Sequence, residues 1–385
     1  MRILVASDYA STWNMGGATR VLAHQLQSIA ASEHEGLLIS GGPKEDHGHW
    51  GIPWVKHRYK SPFYLPKLYL SFLQARFKFK PDILHLHQPI VALLAHWAYP
   101  KSTTRVYHFH SYWKEEKLSH ARGPISKAWS HFKGWIENTA LRNMEHFIVL
   151  SRYSEKRLRE RQPNANIQVI PGAVDTEYWK PKQLKKGTKD GIFQFLSVRR
   201  LDPRMGLDLL IQAFAKLVND KTEMACHLNI VGTGRSEKDL KTLCSKLSLN
   251  EHITFHGRVP EEQLLQLMHS SHAVAIPTRE MEGFGMSVIE AFAAGLPVLA
   301  TEAGALGEFS IHGDVIQMVG TPSVENLSSG LKSALSHWAN NADISSRCLK
   351  VAKENYDKDI ITQKLLQLYE ERVKSPSSHH LHSSN

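Results

Sequence analysis

One pattern governs this chain from end to end: a short apolar run closed by Gly, Pro or Ser, then an amphipathic helical stretch. The runs in the first half are ILVAS, GLLIS, DILHLHQ, RVYHFH, HFIVLS and IQVIPGAV; those in the second are FQFLSVRR, HLNIVG, ITFHG, AVAIP and PVLAT. Each is short and rich in β-branched or aromatic residues, as strands buried on both faces are. Between them, segments such as RVLAHQLQSIAA and GLDLLIQAFAKLV carry apolar residues at helical spacing. Repeated strand–helix–strand units imply an α/β fold with a doubly wound parallel sheet. The pattern occurs twice, interrupted by the polar stretch KPKQLKKGTKDG at 180–191. Two Rossmann-like domains are therefore expected, over 1–180 and 181–356, with a disordered polar tail, SPSSHHLHSSN, over 375–385.

A length of 385 residues with 42% apolar and 22% charged residues suits two soluble globular domains. Three widely spaced cysteines fit neither a disulfide framework nor a zinc site. MRILVAS runs directly into an apolar strand without a signal-peptide pattern, and no apolar run approaches the roughly 18 residues of a spanning helix. A cytoplasmic chain is expected, at most peripheral on the inner face of a membrane. The net charge of +10 is unevenly spread: residues 1–180 hold 24 Lys and Arg against 14 Asp and Glu, whereas the remainder balances at 23 and 23. The first half thus offers a basic surface suited to an anionic partner. Two segments in it, 54–80 and 126–142, interleave aromatic with basic residues. Both are expected to pack on the sheet with lysines reaching outward, and either could form part of an acceptor site. Helix-turn-helix, RRM-type and zinc-finger patterns are missing from the sequence, so no nucleic-acid partner is expected.

Ligands of open α/β sheets bind beyond the carboxyl ends of the strands. EGFGMSVIEAFAAGLPVLAT (282–301) follows the strand AVAIP and so occupies such a position. Gly283 and Gly285 allow close backbone approach, and a helix starting near Met286 presents free N–H groups suited to a phosphate. Glu282 in the loop can accept bonds from sugar hydroxyls, and Glu290, two turns into the helix, can reach a ribose diol.

This segment resembles the donor-site motif of retaining GT-B glycosyltransferases of family 4. The resemblance extends over nearly the whole chain. NMGGATRV, with Gly16 and Gly17, is similar to the family's first glycine loop; DILHLHQP, IVLSRYS and IPGAVDTEYW match segments of the first domain. SVRRLDPRMGLDLLIQAF, NIVGTGR and FHGRVP match the second. What the resemblance implies is two facing domains with a donor cleft between them, and a C-terminal helix near 357–373 that crosses back to the first. Arg200 would clamp the donor diphosphate, since a guanidinium suits the charge that grows on the leaving group. The family's lysine before the next glycine is Met205 here, with Arg204 beside it as the candidate replacement. Gly232, Arg258 and Val259 would lie by the nucleotide base, with Phe284, Gly285 and Met286 also on the donor.

His110, after the strand RVYHFH, matches the family's active-site histidine and could donate to a sugar hydroxyl or orient the acceptor. Strand alternation puts His108 on the same face, and His85, His87 and His108 are read as structural. The paired H-x-H sequences at 85–87 and 108–110 invite a zinc reading, but no carboxylate or cysteine completes the set nearby in sequence. The lone D-x-D, Asp357-Lys358-Asp359, reads as a helix start. No metal and no cofactor are therefore expected. The implied function is metal-independent, retaining transfer of a hexose-type sugar, most readily from a UDP-sugar, to a glycan, lipid-linked or small-molecule hydroxyl. The alternatives are a non-catalytic nucleotide-sugar binder or an epimerase or hydrolase of the same fold.

Overall fold

A computed structural model describes all residues except 12–15, 45, 47–49, 60, 113–123, 183–190, 221–223, 340 and 375–385. Most of the expected linker at 180–191 and all of the expected tail fall outside the described residues. The chain divides into two compact units, Met1–Gly172 with Lys358 onward, and Ala173–Asp357. Residues from 173 on already belong to the second unit, ahead of the expected boundary at 180/181. The physical reason is local packing: the short helix Thr176–Trp179 starts on the Asp175 cap, and the Trp179 carbonyl oxygen lies 2.9 Å from His269 Nε2.

The first unit is built on seven parallel strands: β1 (Arg2–Ser7), β2 (Glu35–Gly42), β3 (Trp54–Arg58), β4 (Ile83–His87), β5 (Thr104–Phe109), β6 (His146–Val149) and β7 (Asn166–Val169). Their order is β3-β2-β1-β4-β5-β6-β7, so the winding reverses between β1 and β4. That crevice is pinned by Gln88, whose Oε1 accepts from Ser7 Oγ at 3.1 Å and from the Asp8 backbone N–H at 2.9 Å. Gln88 has φ of 65°, an uncommon conformation for a non-glycine residue, just before the helix Pro89–Ala98. The C-terminal helix Lys358–Lys374 packs against the helix Gly17–Ala30 of this unit, burying Ile361, Leu365, Leu368 and Tyr369.

The second unit has six parallel strands: β8 (Ile192–Val198), β9 (Ala225–Val231), β10 (Ile253–Gly257), β11 (Ala273–Ile276), β12 (Val298–Ala300) and β13 (Ile316–Met318). Their order is β10-β9-β8-β11-β12-β13, which places its reversal between β8 and β11. Both units are thus doubly wound, and each has a single switch point where loops diverge to opposite faces and leave a crevice.

Two helices of the first unit depart from expectation. The helix Tyr64–Lys78 buries Tyr64, Leu68, Phe72 and Ala75, yet Phe77 remains 67% exposed and Leu70 and the preceding Phe63 are also exposed. On the helix Pro124–Arg142, Trp129 and Phe132 are exposed and Trp135 is 62% exposed, while Ala140 and Leu141 face the core. Each helix has more apolar residues than one sheet-facing stripe can hold, so a second apolar stripe faces outward.

Candidate functional site

In the second unit the polar residues converge on the switch point. As the chain leaves β8, Arg199 turns inward and bridges to the loop after β11. Its guanidinium donates to Ser287 Oγ at 3.2 Å, and more closely to Thr278 Oγ1 and Glu282 Oε2. This ties the exit of β11, the glycine loop and the first turn of the helix Met286–Ala293 to one buried cation. Arg200, the next residue, is exposed, and its side chain makes no hydrogen bond or ion pair among the described residues. Adjacent residues of an extended segment point to opposite sides, so of two consecutive arginines one is structural and the other is available to a ligand.

Glycines make this crossing possible. Gly206 has φ of 69°, and a Cβ there would collide with the Pro277 carbonyl oxygen. Gly232 (φ 137°) and Gly234 come equally close to the carbonyl oxygens of Arg199 and Leu201. The loop after β9 therefore supports the backbone that carries both arginines, through the Leu201 N–H to Thr233 carbonyl bond at 3.0 Å. The Arg235–Asp202 ion pair at 3.0 Å joins the same two loops. Gly304 (φ 61°) presses on the Glu282 backbone, which accepts from the Ala305 N–H at 2.9 Å. Met281, at φ of 55°, carries strain of about 1–2 kcal/mol next to Glu282.

The first unit brings four histidines together at the carboxyl ends of two neighbouring strands. His87 and His108 are register partners, and alternation puts His85 and His110 on the same face. Their rings form a stack: His87 and His108 lie 5.0 Å apart and 6° from parallel, and His108 and His110 are 4.5 Å apart. Burial, reinforced by the neighbouring imidazoles, holds His85, His87 and His108 well below the ordinary histidine range. Burial alone lowers His110 to about 4. All four are neutral at physiological pH, so each is one donor and one acceptor rather than a cation.

With this geometry in place, comparison with known proteins identifies the chain. Two family models match consecutive stretches: "Glycosyltransferase Family 4" over residues 15–178 and "Glycosyl transferases group 1" over 179–351. The chain belongs to the family 4 glycosyltransferases. A curated relative in Mycolicibacterium smegmatis, a GDP-mannose-dependent α-(1-6)-phosphatidylinositol monomannoside mannosyltransferase, is 28% identical over 232 residues, 55% of this chain and 60% of the relative. The chain spans about half to three-fifths of the length of the curated relatives it matches. Among solved structures, sucrose-phosphate synthase from Thermosynechococcus elongatus superposes with a TM-score of 0.77 at 18% identity, covering 97% of this chain and 99% of that one. Anabaena HepE in complex with UDP gives 0.74 at 18% identity, covering 96% and 100%. These likenesses establish the GT-B fold.

Within this family 4 fold, the expected donor residues fall into three groups. Arg200, Glu282 and the start of the Met286–Ala293 helix share the β8/β11 switch point; Glu290 is buried one helix face further in. Arg204 lies against the same loop: its Nη1 donates to the carbonyl oxygens of Glu280 (3.2 Å) and Met281 (2.7 Å). Met205 is buried, leaving the place of the family's lysine apolar. Phe284 packs its ring against Phe309 and Tyr356, so only its backbone faces the loop. Gly285, at φ of 109°, opens the helix, and Gly232 is a backbone support. Arg258 and Val259 follow β10, with Arg258 exposed. In the first unit, Gly16 caps the helix Gly17–Ala30 with φ of −74° and no described atom within 4 Å of a Cβ, and Gly17 is exposed. Sequence reasoning missed Arg199, Thr278 and Ser287. The visible signal was the doubled arginine itself, because adjacent side chains of an extended segment point to opposite sides.

Proposed function

We propose that this chain moves a hexose-type sugar from a nucleoside-diphosphate sugar, a UDP-sugar first, to a hydroxyl of a membrane-linked acceptor, with retention of configuration. The observation that carries the reading is the division of labour at the β8/β11 switch point. Arg199 holds Glu282 in place through one carboxylate oxygen, while Arg200 stands exposed and its side chain has no partner among the described residues. A diphosphate bound by Arg200 at the start of the Met286–Ala293 helix has its growing charge met by a guanidinium and backbone N–H groups. The chemistry then needs no metal at the diphosphate and no cofactor besides the donor. Glu282 Oε1 is left to accept from sugar hydroxyls, and Glu290 serves the ribose. His110, neutral and at a strand end, is suited to hydrogen-bond the sugar or the acceptor.

A UDP donor is supported by the UDP complex of HepE, and the mannosyltransferase named above makes GDP-mannose the second donor to test. The membrane-linked acceptor is supported by the exposed aromatics of three neighbouring helices in the basic first unit: Phe77, Trp97, Trp129 and Trp135, with Arg76 over the Phe77 ring (5.4 Å) and Lys133 over the Trp129 ring (5.7 Å). No helix among the described residues is long and apolar enough to cross a membrane, so contact with lipid would be peripheral. Thermal stabilisation of the protein by UDP, UDP-hexoses and GDP-mannose tests the donor, and cosedimentation with anionic vesicles tests the surface. Stabilisation by none of these nucleotides would remove the transferase reading.

A further inference from the structure

The histidine stack holds an arrangement that sugar transfer does not use. His85, His87 and His108 are 0%, 1% and 1% exposed. In each ring Nδ1 has a partner: Tyr369 Oη for His85, His110 Nε2 at 3.0 Å for His87, and Gln25 Nε2 at 2.9 Å for His108. In each ring Nε2 is buried with no hydrogen-bond partner among the described residues. The three residues offer ligand atoms that all lie within 4.8 Å of one another. Three unpartnered buried nitrogens in one histidine cluster are hard to account for as packing, since buried polar atoms are almost always satisfied. Imidazoles fixed through one nitrogen, with the other left for the ion, are how proteins present histidines to a metal.

We propose that His85, His87 and His108 form a three-imidazole site for a zinc-type divalent ion, set next to His110 in the first unit. Neutral imidazoles are the ligating form, so each ligand keeps its single proton on Nδ1. Three nitrogens bound at about 2.1 Å lie about 3.4 Å apart, so binding turns the rings out of their near-parallel stack to bring their in-plane lone pairs onto one ion. The fourth position takes water or a small anion. The supporting shell becomes consistent once a metal takes Nε2. His85 Nδ1–H donates to Tyr369 Oη. His108 Nδ1–H donates to Gln25 Oε1 after a 180° turn of the amide, which exchanges the places of its oxygen and nitrogen. His87 Nδ1–H donates to His110 Nε2, which fixes His110 as the tautomer with its proton on Nδ1. The ion is thus a positioning element for His110, and the proposal stands whether or not the donor-site reading holds.

The test uses the full chain with His379, His380 and His382 in the tail replaced by serine, so that they cannot bind metal. After chelator treatment, Co(II) is titrated and then displaced by Zn(II). The expected result is one ion per chain, the visible absorption of four-coordinate Co(II), and an unfolding equilibrium shifted about 100-fold when free Zn(II) stands at 100 times its Kd. X-ray absorption of the bound ion should give three imidazole nitrogens at about 2.0–2.1 Å. His108→Phe keeps a ring in the stack but removes the ligand atom, and should fold cooperatively without the Co(II) band. No binding by the folded chain, an oxygen-only ligand shell, or an unchanged band in His108→Phe would each overturn the site; if that variant does not fold, the ligand shell of the parent chain decides.

Discussion

Replacing each of two adjacent arginines by methionine should have opposite consequences. In Arg199→Met the Glu282 carboxylate loses its cation. Breaking a fully buried pair by removing one partner costs about 3–5 kcal/mol. Here the side chains are 7% and 18% exposed, so Glu282 is partly rehydrated and the cost falls to about 2 kcal/mol. The bonds to Thr278 and Ser287 add about 0.5 kcal/mol or more each, for a total near 3 kcal/mol. For a unit of this size that lowers Tm by about 6–12 °C. Arg200→Met removes an exposed side chain that has no partner among the described residues and should change stability by less than about 0.5 kcal/mol. Its loss should appear instead as weaker nucleotide-sugar binding, by about tenfold or more, as expected for a charge-assisted bond to phosphate. Urea and thermal unfolding of both variants, with Glu282→Gln completing a double-mutant cycle on Arg199, measure these terms. A coupling energy below about 0.5 kcal/mol between Arg199 and Glu282, or equal destabilisation by the two arginine changes, would refute the division of roles.

Gly206→Ala and Gly232→Ala each force a Cβ into a carbonyl oxygen at positive φ, so each should lose about 2–4 kcal/mol in urea unfolding, whereas Gly16→Ala, with no described atom within 4 Å of its Cβ, should lose under about 0.5 kcal/mol. Any loss of activity in folded Gly16→Ala then reports a ligand close to that glycine. Glu290→Ala should chiefly raise the donor KM, and His110→Ala should chiefly lower kcat, by about 100-fold, with the donor KM little changed; steady-state kinetics separate the two. Combined Phe77→Ser and Trp135→Ser should reduce sedimentation with anionic vesicles without changing Tm by more than about 2 °C, because both side chains are exposed.

Much of the fold was legible because a parallel strand buried on both faces has to be a short continuous apolar run. Eleven such runs coincide with strands of the two sheets. Two strands were not legible. β3, WVKHR, lies at a sheet edge with half-exposed residues and so needs no continuous apolar run. β13, IQM, has only three residues and also lies at an edge. The site was legible as a place, since glycines between a strand and a helix mark the carboxyl edge of a sheet. It was not legible as a set of partners. Whether Arg199 or Arg200 faces the core depends on where β8 ends, and Arg204 meets the 280–281 carbonyls only through the β8/β11 pairing. The histidine cluster was likewise hidden, because register between β4 and β5 decides whether two H-x-H pairs meet, and Tyr369 reaches them from the far end of the chain.

The central claim, that the second unit activates a nucleoside-diphosphate sugar through Arg200, is tested most directly by nucleoside-diphosphate release. The wild type and Arg200→Ala are compared on UDP-hexoses and GDP-mannose, with hydroxyl-bearing lipid in anionic vesicles as acceptor. The account predicts release from at least one donor by the wild type, reduced about 100-fold or more in the variant at unchanged Tm. Release that is equal in the two proteins, or that neither shows with any donor, would contradict it.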